Sequence, residues 1–259
     1  MNDLRIIPLT GIPLIQPGDD LAQILGEAID RLERPHGFSK PVRAGDVLVL
    51  AQKIVSKAEG RYVDLDTVTP SDHAQAVARQ CDKDPRLIEV ILSESTEVVR
   101  VRPGLIITRH RLGFVAANAG VDRSNVAPVG IDRVLMLPAD PDRSAANIRA
   151  ALRDRFGVDL GVIIADSHGR PHRMGTVGVA IGLAGLPGFE DWRGRQDLFG
   201  YTLQHTEVGT ADQIAAAATL MLGQAAEAIP AVIVRGAPFE ARDGSAQEIN
   251  RPASLDLFR

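Results

Sequence analysis

Short apolar runs alternate with longer segments of helical spacing along most of the chain. Continuous apolar runs bounded by glycine or proline predict strands at residues 4–9, 45–52, 133–138, 160–166 and 230–236. Apolar residues three and four apart predict helices at residues 20–32, 71–81, 85–95, 139–157 and 210–223. Bursts of β-branched residues between 96 and 117 predict antiparallel strands, and the glycine-rich run at 176–185 is also typical of a strand.

Helix-terminating residues and the order of the elements indicate the fold class. Asp19 or Asp20 is a candidate cap for the first helix, and Pro141 and Gly157 stand where an acid-capped fourth helix begins and ends. Strands and helices alternate in some parts and cluster in others, which predicts an α+β (mixed α/β) protein. The sequence has no internal repeat and no long linker, and the residues after Gly236 are polar and typical of a loop.

The composition excludes several classes of protein. The 259 residues suffice for one large domain or two modest ones. With 29 basic and 33 acidic residues the net charge is −4, so no nucleic acid is expected as a partner. The single cysteine, Cys81, excludes an intramolecular disulfide and is more typical of a small helix residue than of a nucleophile.

The N-terminal residues and the lengths of the apolar runs predict a cytoplasmic protein. The start of the chain has Asp3 and interspersed prolines, and it lacks the basic region and clean apolar run of a signal peptide. No apolar stretch reaches the roughly 18 residues that a membrane-spanning helix requires. No membrane association is therefore expected.

Common nucleotide-binding and catalytic motifs are absent from the chain. It has no P-loop, G-x-x-x-x-G-K-[ST], and no Rossmann motif, G-x-G-x-x-G, opening a helix after a strand. The motifs H-E-x-x-H and G-x-S-x-G and paired C-x-x-C are also missing. Any nucleotide site must therefore be built in another way.

The densest group of reactive side chains lies in IIADSHGRPHR, residues 163–173. His168 and His172 are four apart, but Gly169 and Pro171 exclude a helix, so this spacing does not predict a metal site. Ser167 would act as a nucleophile only beside a positioned base, which adjacency to a histidine does not by itself provide. A third interpretation is a site for a phosphorylated ligand.

Carboxylates and arginines support that third interpretation. Asp166 ends an apolar run, where a carboxylate is typical of a ligand for a hard cation such as Mg²⁺; the alternative is a turn-capping aspartate. Arg170 and Arg173 could bind phosphate or carboxylate, or be ordinary exposed arginines. Asp122 and Asn125 lie in a loop where such residues are usually turn formers.

Two further polar positions follow predicted elements. Lys57 comes after the second predicted strand and could neutralise a phosphate, or be a surface lysine. Gln224 and Glu227 stand at the end of the last predicted helix, where Gln224 could offer an oxygen to a metal or simply be exposed. Each of these signals is weak alone.

Taken together and in order, five segments resemble one family. They are GIPLIQPGDD, GDVLVLAQKIVSKAEGR, ANAGVDRSNV, ADSHGRPHRMGTVGVAIGLAG and LMLGQAAEAIPAVIVRG. Their order and spacing are similar to those of the coenzyme F-420:L-glutamate ligases, or gamma-glutamyl ligases, and the resemblance covers about residues 7–236. The segments VSKAEGR and D-S-x-G-R-P-x-R are the most distinctive.

The resemblance implies an acid–amino-acid ligase. Such an enzyme joins L-glutamate to the lactyl carboxylate of a deazaflavin coenzyme precursor with GTP as co-substrate, and it can then add γ-linked glutamates. The implied fold is specific to the family, with two subdomains in a catalytic unit at residues 1–242, a C-terminal tail at 243–259 and an intertwined homodimer.

The resemblance also implies a set of site residues. Two divalent ions, Mg²⁺ or Mn²⁺, would be held by Asp122, Asp166, Ser167 and Gln224, and K⁺ is a further implied cofactor. Lys57 would neutralise phosphate charge beside the catalytic carboxylates Asp122 and Asp166. The implied GTP contacts are Ile12, Pro13, Leu14, Ile15, Gln52, Lys53, Lys57, Asn125, Leu222, Gly223, Gln224, Ala225, Ala226, Glu227, Ala228 and Ile229. Arg170 and Arg173 are our own candidates for the acidic groups of the coenzyme or of glutamate.

Departures from the family pattern leave alternatives open. Gln52-Lys53 stands where small hydroxyl residues often occur, and Ala225-Ala226 stands where Asn often precedes Glu. A ligase that uses ATP or another carboxylate is therefore the first alternative. A non-catalytic deazaflavin- or nucleotide-binding protein is the second, although the intact pair of Asp122 and Asp166 argues against it because binding alone does not require two metals. A metal-dependent phosphohydrolase based on ADPDR, residues 139–143, is the third, although the proline in it is more typical of a helix start.

Overall fold

Strands and helices of comparable extent make up the protein. The computed structural model describes residues 3–33, 41–128 and 130–256. Its strands are β1 Arg5–Pro8, β2 Val47–Ala51, β3 Tyr62–Asp64, β4 Ser95–Arg102, β5 Leu105–His110, β6 Val115–Ala117, β7 Arg133–Leu135, β8 Gly161–Arg170, β9 Arg173–Ala184, β10 Glu190–Asp191, β11 Glu207–Val208 and β12 Ala231–Arg235. Its helices are α1 Leu21–Asp30, α2 Gln52–Ala58, α3 Asp72–Cys81, α4 Pro85–Ser93, α5 Pro141–Phe156 and α6 Thr210–Leu222. The predicted α+β class is confirmed.

The largest sheet sets the geometry of the site. Its five strands lie in the order β1-β12-β2-β8-β9. β2 and β8 are parallel, and the other neighbouring strands are antiparallel. The register pairs Ala51 with Ala165, so Gln52 and Asp166 follow at the same level of the sheet.

Alternating side chains bury both faces of this sheet. In β2, Leu48 and Leu50 belong to the buried cluster that includes residues of α1, α2 and α5. Val47 and Val49, which point to the opposite face, belong to the cluster that includes residues of α6. Because both faces are covered, the strand has a continuous apolar sequence rather than an alternating one. The prediction of a buried strand here is confirmed.

The segment between α2 and α5 has a cluster of buried residues of its own. α3, α4, β5 and β7 contribute to it, and the free cysteine Cys81 is fully buried in it, as expected of a small helix residue. β4, β5 and β6 form an antiparallel sheet, which confirms the strands predicted between residues 96 and 117, and β3 pairs with β7. The division into two subdomains stays a prediction.

Several helix ends lie where the sequence places capping residues. Asp20, rather than Asp19, caps α1 by accepting a hydrogen bond from Gln23 N at 3.0 Å. α5 begins at Pro141 and is followed by Gly157 in the left-handed conformation, as predicted. Along the described ranges, no helix combines the length and the apolarity that crossing a lipid bilayer requires.

Three regions differ from the sequence prediction. The residues after β2 form the helix α2, so Lys57 lies on a helix rather than directly after a strand. β8 continues beyond Asp166 to Arg170, because it pairs with β9 in a hairpin that turns at residues 171–172. The predicted loop after Gly236 contains the short 3₁₀ helices Ala246–Ile249 and Ala253–Leu255.

Candidate active site

The parallel pair β2 and β8 brings two candidate segments together. α2 begins at Gln52, immediately after β2, while β8 carries Asp166 and Ser167 just beyond the residue paired with Ala51. Ligands of open sheets with parallel strands bind outside the carboxyl ends of those strands. The register therefore places α2 beside the predicted metal carboxylate Asp166.

Two lysines on one face of α2 hold the loop that contains Asp122. Lys53 and Lys57 are four residues apart, so their side chains lie on the same side of the helix. Lys53 Nζ lies 2.8 Å from Asp122 Oδ2 and 2.6 Å from Ser124 Oγ. Lys57 Nζ donates to the Asn125 carbonyl oxygen at 2.6 Å. The loop at residues 122–125 is thus fixed to α2 by two cations.

The electrostatics of this contact favour ionised Asp122. Burial would raise the pKa of Asp122, but the ion pair with Lys53 and the hydrogen bonds from Ser124 outweigh it and lower the pKa. Ser124 N donates to Asp122 Oδ1 at 2.7 Å, which closes an Asx-type turn. Burial and the neighbouring charge of Lys53 lower the pKa of Lys57. Added negative charge, such as that of a phosphate, would stabilise the charged form of Lys57.

The segment after α6 joins the same network. Gln224 Nε2 donates to Ser167 Oγ at 3.0 Å. Asn125 Nδ2 donates to the Ala225 carbonyl oxygen at 2.8 Å. Glu227 accepts from Ala225 N at 2.8 Å, which folds the segment back on itself. Four segments distant in sequence, namely α2, the loop at 122–125, β8 and residues 223–229, are therefore linked by direct side-chain contacts.

The loop that contains Ile12, Pro13, Leu14 and Ile15 lies against the far end of α2. Gly18 N donates to the Ala58 carbonyl oxygen at 2.8 Å. Ile15 is buried in the core, whereas Pro13 and Leu14 are exposed. The exposed pair is therefore available to a ligand beside α2.

Other predicted residues have different surroundings. Gln52 is buried, and its Oε1 accepts from Ser56 Oγ at 2.8 Å. Arg170 and Arg173 flank the turn of the β8–β9 hairpin, and Arg170 donates to the Gly175 carbonyl oxygen at 3.4 Å. Within the described contacts neither arginine reaches Asp166, so they lie apart from the network. Their role as substrate anchors stays a prediction.

The oxygen donors of the network fit a hard divalent cation. Across the described ranges, no group of three or more His, Cys, Asp and Glu residues could hold a metal. A site here would depend on Asp122 and Asp166 together with the Ser167 hydroxyl and the Gln224 amide oxygen. Carboxylate, hydroxyl and amide oxygens are donors that Mg²⁺ and Mn²⁺ accept. Lys53 would compete with a metal for Asp122.

Two site residues were missed by the sequence analysis. Ser124 contacts both Lys53 and Asp122, and the spacing D-x-S of an Asx turn is the signal that could have identified it. His168 was considered only as a metal ligand or as a base for Ser167, but its Nε2 lies 2.9 Å from Asp166 Oδ2. Residues two apart on a strand share a face, so the pattern D-x-H already contained this pairing.

Comparison with known proteins gives a consistent result. Residues 11–236 match the family described as F420-0:Gamma-glutamyl ligase. The chain is 48% identical to the Coenzyme F420:L-glutamate ligase of Methanopyrus kandleri, over 99% of this chain and 98% of that protein. It is 44% identical to the protein of the same name from Methanothermobacter thermautotrophicus, over 99% of both chains. The corresponding Archaeoglobus fulgidus protein is 40% identical over 99% of this chain and 96% of its own length. The resemblance inferred from the five segments is confirmed.

Proposed function

Because the chain belongs to the F420-0:gamma-glutamyl ligase family, we propose that it joins L-glutamate to the glutamate-free deazaflavin coenzyme precursor with GTP as co-substrate. Family membership makes the protein a ligase. The observation that carries the finer proposal is the network at α2, in which Lys53 pairs with Asp122 and Lys57 binds the Asn125 carbonyl oxygen, in a sequence that has no P-loop. Such a set of charges suits a triphosphate and its counter-ions.

The proposed reaction has two balanced steps. A carboxylate is a poor electrophile, so its oxygen first takes the γ-phosphoryl group of GTP, which yields an acyl phosphate and GDP. The amine nitrogen of glutamate then forms the C–N bond while the bond from the acyl carbon to the phosphate oxygen breaks. Phosphate leaves, and the amine loses its proton to solvent. Holding the amine close to the acyl carbon supplies much of the rate acceleration.

Each group of the network has a proposed role in this reaction. Asp122, Asp166, Ser167 and Gln224 would hold two divalent ions, Mg²⁺ or Mn²⁺, and such ions neutralise charge on phosphoryl oxygens when bound. Lys57 contacts the phosphates as a point charge, and the low pKa of Asp122 keeps that carboxylate ionised. K⁺ is proposed as a further cofactor. Arg170 and Arg173 bind acidic groups of the coenzyme.

The proposed nucleotide contacts surround α2. They are Ile12, Pro13, Leu14, Ile15, Gln52, Lys53, Lys57 and Asn125 together with residues 222–229. Supporting this, Asn125 bonds to Ala225 and the loop containing Leu14 bonds to the end of α2. Lys53 adds a cation among these contacts, where the family often has a small hydroxyl residue. The preference for GTP over ATP is therefore tested by using both nucleotides.

We further propose a cytoplasmic homodimer that adds γ-linked glutamates after the first one. Large apolar side chains on the surface support the dimer: Met174 at the hairpin tip and Leu198 and Phe199 in the segment between β10 and β11 are almost fully exposed. Leu198 and Phe199 are neighbours in the chain, and exposed apolar side chains that lie side by side are typical of a protein–protein contact. Mass measurement in solution at several concentrations tests it, because a monomer at all concentrations would contradict the dimer.

One assay tests the ligase proposal. The protein is mixed with Mg²⁺ or Mn²⁺, L-glutamate, the glutamate-free coenzyme and either GTP or ATP, and product mass is followed. The expected result is a gain of one glutamyl unit, or of several, together with GDP release. GDP release without the deazaflavin would instead indicate a hydrolase. Tight coenzyme binding without turnover on either nucleotide would indicate a binding protein.

A further inference from the structure

A cavity of about 270 Å³ adjoins the candidate active site through His168, which lines the cavity and contacts Asp166. It is bounded by the β5–β6 turn, β9, α6 and the C-terminal residues 246–256. Its polar lining consists of Arg109, His168, Asp212, Asn250, Arg251 and Asp256. None of the roles proposed above uses this space.

His168 connects the cavity to the proposed metal carboxylate. Its ring lines the cavity, while its Nε2 lies 2.9 Å from Asp166 Oδ2. The Phe114 ring packs against the His168 ring with 5.0 Å between centroids, which fixes the imidazole from the other side. A molecule in the cavity therefore has one end beside His168, the residue that contacts Asp166.

The cavity carries charges of both signs at defined places. Arg109 is held by Glu97 at 3.2 Å and by the Gly113 carbonyl oxygen at 3.2 Å, and Arg251 comes from the exposed C-terminal segment. Asp212 lies at the start of α6, where its Oδ1 accepts from Ala180 N at 2.9 Å. Burial raises the pKa of Asp212. A ligand ammonium group beside Asp212 would stabilise the ionised form of this carboxylate.

The size of the cavity favours the smaller of the two organic substrates of the proposed reaction. Sites for drug-sized ligands occupy roughly 300–1,000 Å³, so a cavity of 270 Å³ suits a compact molecule of about ten non-hydrogen atoms. L-Glutamate is such a molecule, with two carboxylates and one ammonium group. A tricyclic deazaflavin with its phosphodiester side chain is far larger.

We propose that this cavity is the binding site for L-glutamate, with Arg109 and Arg251 as partners of its carboxylates and Asp212 as the partner of its ammonium group. The amine then lies on the His168 side, toward Asp166. The inference rests on the proposed ligase function and deepens it, because it assigns the amine substrate a place. It also gives the C-terminal segment a role in substrate binding, since Asn250 Nδ2 fastens that segment to the Leu112 carbonyl oxygen at 2.9 Å.

Steady-state kinetics with an arginine variant test the assignment. Arg251→Gln is expected to raise KM for L-glutamate about tenfold or more, because a charge-assisted contact is lost, and to leave KM for GTP and for the coenzyme unchanged. Arg153→Gln, at an exposed position in the last turn of α5, is the matched control and should leave all three KM values unchanged. If the wild-type protein ligates glutamate but Arg251→Gln behaves like the control, the cavity assignment is wrong. If the wild-type protein does not ligate at all, the proposed function itself fails.

A substrate analogue separates the two ends of the site. Glutarate keeps both carboxylates and lacks the amine, so it should inhibit competitively against L-glutamate. Arg251→Gln should raise the Ki of glutarate by the same factor as the KM of L-glutamate. Asp212→Asn, which keeps an oxygen for Ala180 N, should raise the KM of L-glutamate about tenfold and leave the Ki of glutarate unchanged. An equal rise of both constants in Asp212→Asn would overturn the placement of the ammonium group.

Discussion

Lys53 Nζ lies 2.8 Å from Asp122 Oδ2, so a fixed cation stands on one of the two carboxylates that are proposed to hold metal. A divalent ion at this place must compete with the lysine or share the carboxylate with it. Substitution of Lys53 can therefore measure how strongly the lysine and a metal ion compete for Asp122.

Lys53→Met should tighten metal binding. With the competing ammonium removed, we expect the Kd for Mn²⁺ in the absence of nucleotide to fall about threefold, since a partly exposed ion pair contributes up to about 1 kcal/mol. Titration of Mn²⁺ followed by electron paramagnetic resonance measures it. Lys57→Met is the matched control, because Lys57 contacts the Asn125 carbonyl rather than Asp122. Weaker Mn²⁺ binding in Lys53→Met would show that Asp122 is not a metal ligand.

Asp166→Asn should remove metal-dependent turnover and leave the fold intact. The side chain keeps its shape but loses the charge that attracts a cation, so we expect kcat to fall at least about 100-fold. Turnover is measured across a range of Mg²⁺ concentrations, and circular dichroism checks the fold. Asp154→Asn, at an exposed position of α5, should keep full activity. An active Asp166→Asn protein would refute the metal assignment.

Glu94 should make the stability of the protein depend on pH in the acidic range. Burial alone would raise the pKa of Glu94, but the neighbouring His110 and the guanidinium groups of Arg61 and Arg111 outweigh it and lower the pKa to about 2. Arg61 Nη2 lies 3.0 Å and Arg111 Nε 3.1 Å from the carboxylate, whereas His110 Nε2 lies 3.4 Å away without the alignment of a hydrogen bond. The unfolded chain takes up the proton near pH 4.5 and the folded chain only near pH 2. The stabilisation is therefore complete above pH 4.5 and is lost as the pH falls toward 2.

Glu94→Gln measures this contribution. We expect the free energy of unfolding at neutral pH to fall by about 2 kcal/mol, because the guanidinium groups of Arg61 and Arg111 lose their buried carboxylate partner, and its decrease between pH 4.5 and pH 2 to become shallower. Urea unfolding at a series of pH values provides both numbers. Glu97→Gln, whose carboxylate is half exposed beside Arg109, should cost less than about 1 kcal/mol. Equal losses in the two variants would contradict the buried network.

Gly182 allows α5 to lie directly on β9. A Cβ atom at this position would come within 2.5 Å of Pro141 backbone and side-chain atoms. Gly182→Ala should therefore lower the free energy of unfolding by about 1–3 kcal/mol through overpacking. Gly169→Ala, in the adjacent strand of the same hairpin, meets no atom within 4 Å and should be nearly neutral. Thermal unfolding of both proteins compares them, and equal melting temperatures would contradict the close approach.

The sequence predicts local structure well wherever the spacing of apolar residues clearly matches either a strand or a helix. β2 and β12 are continuous apolar runs, and α6 ends before Gly223 because glycine accepts the positive φ that a helix stop requires. α2 was not predicted because only seven residues separate the strand from the glycine turn, too few for a helical period to stand out. The extent of β8 was also missed, since its outer half is ordered by pairing with β9 rather than by its own composition.

The candidate site was predicted in its residues but not in its contacts. Asp122, Asp166 and Lys57 were identified through resemblance to a family, while each alone had an ordinary structural explanation. The pairing of Lys53 with Asp122 and of Gln224 with Ser167 depends on how α2, the loop at 122–125, β8 and the segment after α6 pack together. Such relationships join segments far apart in sequence, and no local pattern encodes them. For the same reason the sequence offered no sign of the cavity between β9, α6 and the C-terminal segment.

The position of β2 in the sheet has a consequence for how the protein assembles during synthesis. Both neighbours of this early strand, β8 and β12, come from the second half of the chain, and β12 is nearly the last element made. The intervening cluster around α3 and α4 consists of contacts between residues near in sequence, so we expect it to form first. The five-stranded sheet is complete only after this last strand has joined, because the long connections from β2 to β8 and β12 must close before the contacts that compensate their entropy exist. A ribosome-bound chain that lacks β12 should therefore contain a structured middle segment and an incomplete five-stranded sheet.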